Sequence, residues 1–134
     1  MLRDIFKSTK KVFSPFIDDI EVHDHLQIVR LQGPIDVSTI PALEKLVLHA
    51  EKKSGMLDKN IMVDFKKVTH VDSATVAVLL AALSELKHHR HRLVLVNVTP
   101  ELKTKLVIAK LDQFFETCQC EDKACEELKK GLME

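Results

Sequence analysis

The stretch Leu26-Gln27-Ile28-Val29-Arg30-Leu31 partly alternates apolar and polar positions, as a half-buried strand does. Phe16 to Ile20 reads as a strand before it, with the polar turn Val22-His23-Asp24-His25 between the two. Gly33-Pro34 is expected to end this hairpin, because glycine and proline punctuate a ladder. The period then changes. Leu43, Leu46, Val47 and Ala50 recur at helical spacing, behind Ser38 and Thr39 as candidate N-caps, Pro41 in the first turn and Glu44 near the positive end. This helix is expected to stop near Ser54-Gly55.

Asn60 to Phe65 reads as a short buried strand, with Val68 to Val71 continuing it past a kink. From Ser73 a helix sets Val76, Leu79, Leu80, Leu83 and Leu86 on one stripe. Leu93 to Val98 is the next strand, parallel to the last because a helix intervenes. Thr99-Pro100-Glu101 combines a cap hydroxyl, a first-turn proline and an acid, and Leu102, Leu106 and Ala109 carry that helix towards Leu111. A strand over Phe114 to Cys118 and a charged helix over Asp122 to Leu132 follow. The order β-β-α-β-α-β-α-β-α predicts an α/β fold with a mixed, mostly parallel sheet and helices packed on it.

The 134 residues suit one domain, read as an N-terminal extension over 1–13 and a domain over 14–134. With 46% hydrophobic residues and neither Trp nor Tyr, the core falls to Val, Leu, Ile and six Phe. Twenty basic against twenty acidic residues leave no cationic excess, which argues against direct nucleic-acid binding. No apolar run approaches the roughly 18–20 residues that span a bilayer, and Met1 to Phe13 lacks the apolar stretch of a secretory signal. Cys118, Cys120 and Cys125 form an odd set without paired C-x2-C knuckles, so ordinary thiols in a reducing, cytoplasmic setting are expected and no metal. His88, His89 and His91 sit with Arg90 and Arg92 at a helix end, where the dipole favours cations anyway. No G-x-S-x-G elbow, G-x-G-x-x-G turn or Walker A loop occurs, so neither an enzyme nor a cofactor is expected.

Two motifs in register narrow the class. Leu31-Gln32-Gly33-Pro34-Ile35-Asp36 resembles the L-x-G-x-L-D signature of STAS domains. Val63-Asp64-Phe65-Lys66-Lys67-Val68-Thr69-His70-Val71-Asp72-Ser73 is similar to the family's D-L-x-x-V-x-x-I-D-S stretch, and Asn97, Pro100, Glu101, Leu102 and Lys103 fit its later N-x-x-P-E-L-K segment. The likeness spans roughly residues 14 to 132 and implies the STAS fold. Resemblance to the anti-sigma factor antagonists further implies a cytoplasmic regulatory module that binds an anti-sigma factor, itself a serine protein kinase. By position Ser73 would be the phosphoacceptor, and Asp36, Asp72, Ser73, Ala74 and Thr75 would form the partner-binding surface. Asp72 is expected to cap the helix. Where the family continues Ser-Ser/Thr-Gly-Leu-Gly, this chain reads Ser73-Ala74-Thr75-Val76-Ala77. Asp-Ser-Ala also resembles the Asp-Thr-Ala of STAS subunits that regulate lipid-transport ABC ATPases, so an adaptor on a transport ATPase is the alternative, with a stressosome-like structural subunit a third. Thr75 is read as a β-branched residue on the helix surface, or a second phosphoacceptor.

Overall fold

The computed structural model describes residues 15–45 and 59–132. The extension over 1–13, the expected helix positions Leu46, Val47 and Ala50, and the stop at Ser54-Gly55 lie outside the described residues. Within them run β1 (Ile17–Val22), β2 (Leu26–Ile35), α1 (Ile40–Glu44), β3 (Asn60–Val71), α2 (Ser73–His88), β4 (Leu93–Val96), α3 (Pro100–Ile108), β5 (Glu116–Cys118) and α4 (Glu121–Leu132). The element order is the one the sequence predicts. The five strands lie side by side in chain order, β1 antiparallel to β2 and the other pairs parallel.

Strand periodicity builds two cores. Val29, Leu31, Ile61, Val63, Phe65, Leu93 and Leu95 face α1, α2 and α3, where they meet Leu43, Leu79, Leu86 and Leu102. The alternate positions Ile28, Met62, Val94 and Val96 face the other way and are covered by Ala124 and Leu128 of α4. Each parallel crossover is right-handed by rule, so the three crossover helices share one face and only α4 is left for the second. The α2 stripe Val76, Leu79, Ala82, Leu83 and Leu86 is buried, and a fully buried leucine contributes about 1.5–3 kcal/mol.

Gly33-Pro34 does not end β2, contrary to expectation. The strand runs through both residues to Ile35, with register shifts between Arg30 and Gln32 and between Gly33 and Pro34. Each shift sets an extra residue of β3 against β2, which is how a ladder absorbs a proline without an N–H and a glycine at φ 68°. The kink expected in β3 is the first of these bulges, and β3 continues across it. An alanine at position 33 would meet nothing within 4 Å, so Gly33→Ala tests backbone strain alone. It is expected to cost about 1 kcal/mol, read as a lower urea midpoint at unchanged m-value.

Candidate functional site

The parallel register pairs Ile35 with Val71, so β2 and β3 end side by side and deliver Asp36 and Asp72 to one rim. The Asp72 N–H donates to the Ile35 carbonyl at 2.8 Å, which fixes that juxtaposition. Asp36 organises the loop into α1. Its Oδ1 accepts from the Ser38 N–H at 2.9 Å and from the Ser38 hydroxyl, and its N–H donates to Thr39 Oγ1 at 3.0 Å. Ser38 and Thr39 are the expected caps, but Thr39 makes no capping bond from its side chain, and the Asp36 side chain instead holds the Ser38 N–H in the turn ahead of the helix. The Ser38 hydroxyl, aided by backbone N–H groups and the charge of His70, holds the Asp36 carboxyl below its ordinary value.

Asp72 occupies the N-cap position of α2 in extended backbone, φ −80° and ψ 156°, with no capping bond from its side chain. Its carbonyl accepts from the Thr75 N–H at 3.0 Å. Ser73 is the first helical residue and is exposed; among the described residues its hydroxyl makes no hydrogen bond. Ala74 is half-buried and Ala77 exposed. Thr75 corrects the expectation of a surface position: it is 0% exposed, and its Oγ1 has no hydrogen-bond partner. It lies on the buried stripe with Leu79, Ala82 and Leu86, out of reach of a protein partner or a kinase.

The rim is braced from α3. Glu101 accepts from the Val71 N–H at 2.8 Å and its other oxygen lies 3.0 Å from His70 Nδ1. Sequence reasoning places Glu101 at the helix dipole and within the N-x-x-P-E-L-K likeness; the structure adds that it ties α3 to the end of β3. Thr99 caps α3 as expected, its Oγ1 accepting from the Leu102 N–H at 3.2 Å.

From Ser73 a groove of about 440 Å³ runs between α2 and α3, lined by Val76, Ala77, Leu80, Lys105 and Ile108. Leu80 is 39% and Ile108 75% exposed, so the groove presents apolar side chains to solvent. Leu80, expected on the core stripe, faces this groove.

A second cluster, which the sequence reading missed, sits under α4. Arg30 and Asp64 are register partners on the α4 face. Arg30 binds Glu121 through Nε at 2.8 Å and Nη2 at 2.7 Å, and Asp19 at 2.7 Å. The Glu121 bond, against the opposing pull of burial, raises the guanidinium above its ordinary value. Burial pushes the Asp64 carboxyl up, but hydrogen bonding with Glu121, Asn97 and the Lys66 N–H, together with the Arg30 charge, outweighs it and holds the group low. Burial also pushes the Cys118 thiol up, and Cys118 and Cys125 pack against the second core. Among the described residues no group of three or more His, Cys, Asp or Glu side chains is placed to hold a metal ion, and no helix is long and apolar enough to cross a membrane.

A STAS domain family model matches residues 19–124. The chain belongs to the STAS domain family. Solved structures share its fold. The anti-sigma factor antagonist SpoIIAA in its unphosphorylated form superposes at a TM-score of 0.72 with 19% identity, over 85% of this chain and 96% of that one. The phosphorylated form of the Bacillus cell fate determinant SpoIIAA gives 0.65 with 20% identity, over 83% and 97%. An anti-sigma factor antagonist from Mycobacterium paratuberculosis gives 0.66 with 24% identity, over 82% and 91%. The mixed five-stranded sheet with helices on both faces is the STAS fold.

Proposed function

We propose that this STAS domain is a non-catalytic, cytoplasmic partner-switching module of the anti-sigma factor antagonist kind. Its partner is an anti-sigma factor that is also a serine protein kinase, and phosphorylation of Ser73 switches the pair apart. The observation that carries the reading is the exposed Ser73 hydroxyl at the first position of α2, between the carboxylates of Asp36 and Asp72 and the open end of an apolar groove. The groove supplies buried area for a partner, with Leu80 and Ile108 as its apolar contacts. The hydroxyl supplies the switch.

A phosphate on Ser73 would add a charge of about −1.5 to −2 at pH 7, beside two carboxylates. The free N–H groups and dipole at the start of α2 stabilise that charge within the domain. A partner surface arranged for Asp36 and Asp72 with a neutral hydroxyl would instead meet a dense anionic rim, and like-charge contacts at an interface cost several kcal/mol. Fold stability is retained while association is lost. Ala74 and Asp72 belong to this contact surface, and Thr75 does not, being buried.

The test is phosphosite mapping of the protein isolated from its native cells, beside a Ser73→Ala variant. A phosphate on Ser73 that disappears in the variant is the expected result. A Ser73 that stays bare under every growth condition ends the switch reading, and co-purification with a transport ATPase irrespective of phosphate would replace it with the adaptor.

A further inference from the structure

The groove between α2 and α3 presents apolar side chains to solvent, and the chain carries a segment patterned to cover them. Residues 1–13 precede the described fold. Laid out at about 100° per residue, Met1, Leu2, Ile5, Phe6, Thr9, Val12 and Phe13 fall within one arc of about 140°. Arg3, Asp4, Lys7, Ser8, Lys10 and Lys11 occupy the rest. Leu2, Ile5, Phe6 and Thr9 stand at i, i+3, i+4 and i+7, the spacing with which an amphipathic helix enters an apolar groove.

The fold tethers this segment at the right end. The Gln32 side-chain amide donates to the Pro15 carbonyl at 3.0 Å, and the Gln32 N–H donates to the Phe16 carbonyl at 2.8 Å. Because β1 runs antiparallel to β2, it starts towards the end of the sheet where β2 and β3 deliver Asp36 and Asp72. Two strand spacings of about 4.8 Å separate β1 from β3. Thirteen residues reach about 45 Å extended or about 20 Å as a helix, so the groove is within range. A short tether also holds its ligand at an effective concentration of about a millimolar, so a groove offering little more than Leu80 and Ile108 can stay filled.

Charge sets the direction. At the Ser73 end, Asp36 and Asp72 have no Lys or Arg bound to them among the described residues, while Glu101 is engaged by His70 and Asp18 by Lys67. Along the other wall stand Lys103 and Lys105 of α3, then Lys110 and Asp112 just past it. The segment has the opposite order: Lys7, Lys10 and Lys11 lie towards the tether, and Asp4, beside Arg3, towards its far end. A helix entering at the rim sets Lys10 and Lys11 against Asp36 and Asp72. It brings Leu2, Ile5 and Phe6 down to Leu80 and Ile108, with Asp4 near the α3 lysines.

We propose that residues 1–13 dock in the α2–α3 groove of their own chain as an amphipathic helix, apolar face down, and cover Ser73. An anionic bilayer accepts stripes of this kind too, but it accounts neither for the tether at the rim nor for the matching order of charges. The docked segment shields the Ser73 hydroxyl from a kinase and occupies the groove until a partner displaces it. That consequence rests on the partner-switch reading; the docking does not.

Photo-crosslinking tests the docking on the full chain, with neither partner nor kinase present. With p-benzoylphenylalanine in place of Phe6, irradiation at about 1 μM, far below the effective concentration of a tether, should link position 6 to peptides bearing Leu80 or Ile108 within one chain. Leu80→Asp, at an exposed site, and Lys10→Glu/Lys11→Glu should each lower that yield about fivefold or more. Links confined to other surfaces, links only between two chains, or a yield unchanged in either variant overturns the inference. Flotation with phosphatidylglycerol vesicles in the absence of any groove link also overturns it, assigning the stripe to a bilayer. Phosphosite mapping reads the switch separately. A bare Ser73 with the groove link intact ends the switch and leaves the docking, whereas a phosphorylated Ser73 without the link does the reverse.

Discussion

Arg30→Ala is expected to lower the stability of the domain by about 3 kcal/mol at neutral pH, read as a fall of the urea midpoint. The side chain is 17% exposed and ties β2 to Asp19 on β1 and Glu121 on α4, with the buried Asp64 beside it. Glu21, whose side chain is 4% exposed, lies 3.4 Å from Nη1. Removing the guanidinium takes away the cation that Asp19, Glu21 and Glu121 share, and the repulsion among carboxylates that remains costs far more than one pair contributes. The partial exposure of Asp19 and Glu121 puts the expected value at the low end of the range for fully buried pairs. The pH dependence identifies the cause. Asp64 is held below its ordinary value in the folded state, so its contribution is present at neutral pH and is lost as pH falls through the carboxylate range, below about 4. Protonation of the same carboxylates relieves the variant. The gap between Arg30→Ala and the parent should therefore close on acidification, and a gap that is constant from pH about 7 to about 3 would refute the charge account in favour of lost packing.

Thr75→Val is expected to stabilise, by about 1 kcal/mol and a few degrees in thermal melting. The two side chains are nearly the same shape, and the exchange replaces a fully buried hydroxyl without a partner by a methyl group among Leu79, Val76 and the strand residues below. Valine is no better in a helix than threonine, so the gain comes from desolvation alone. A destabilised Thr75→Val would mean that the hydroxyl is satisfied, and would sink the argument. Thr75→Ala, which removes the same oxygen but leaves a void, should fall below Thr75→Val by the cavity cost.

These two residues also mark where sequence reading succeeds and stops. Helical spacing identified Val76, Leu79, Leu83 and Leu86 as core because the pattern is local. Thr75 stands four residues before Leu79 and seven before Ala82, so its burial was legible in the same spacing, masked by the polar name of the residue. Arg30 and Glu121 stand 91 positions apart, and nothing within either segment announces the pair. The Gly33-Pro34 punctuation misled because the parallel ladder with β3 continues past both residues to Ile35, and two bulges in β3 absorb the missing N–H, a long-range pairing that the dipeptide does not announce. The pairing of Asp36 with Asp72 needed the Ile35–Val71 register, which a parallel sheet sets through distant contacts. The two motifs supplied that knowledge through family resemblance instead.

The length of α2 has a consequence for signalling. Fifteen rises of about 1.5 Å separate Ser73 from His88 by about 22 Å, more than twice the Debye length of about 10 Å at 0.1 M salt. A charge placed at one end of that rod is nearly invisible to the other. Events at the two ends can therefore sum but cannot veto each other through the field, and any crosstalk between them has to travel as movement of the helix itself.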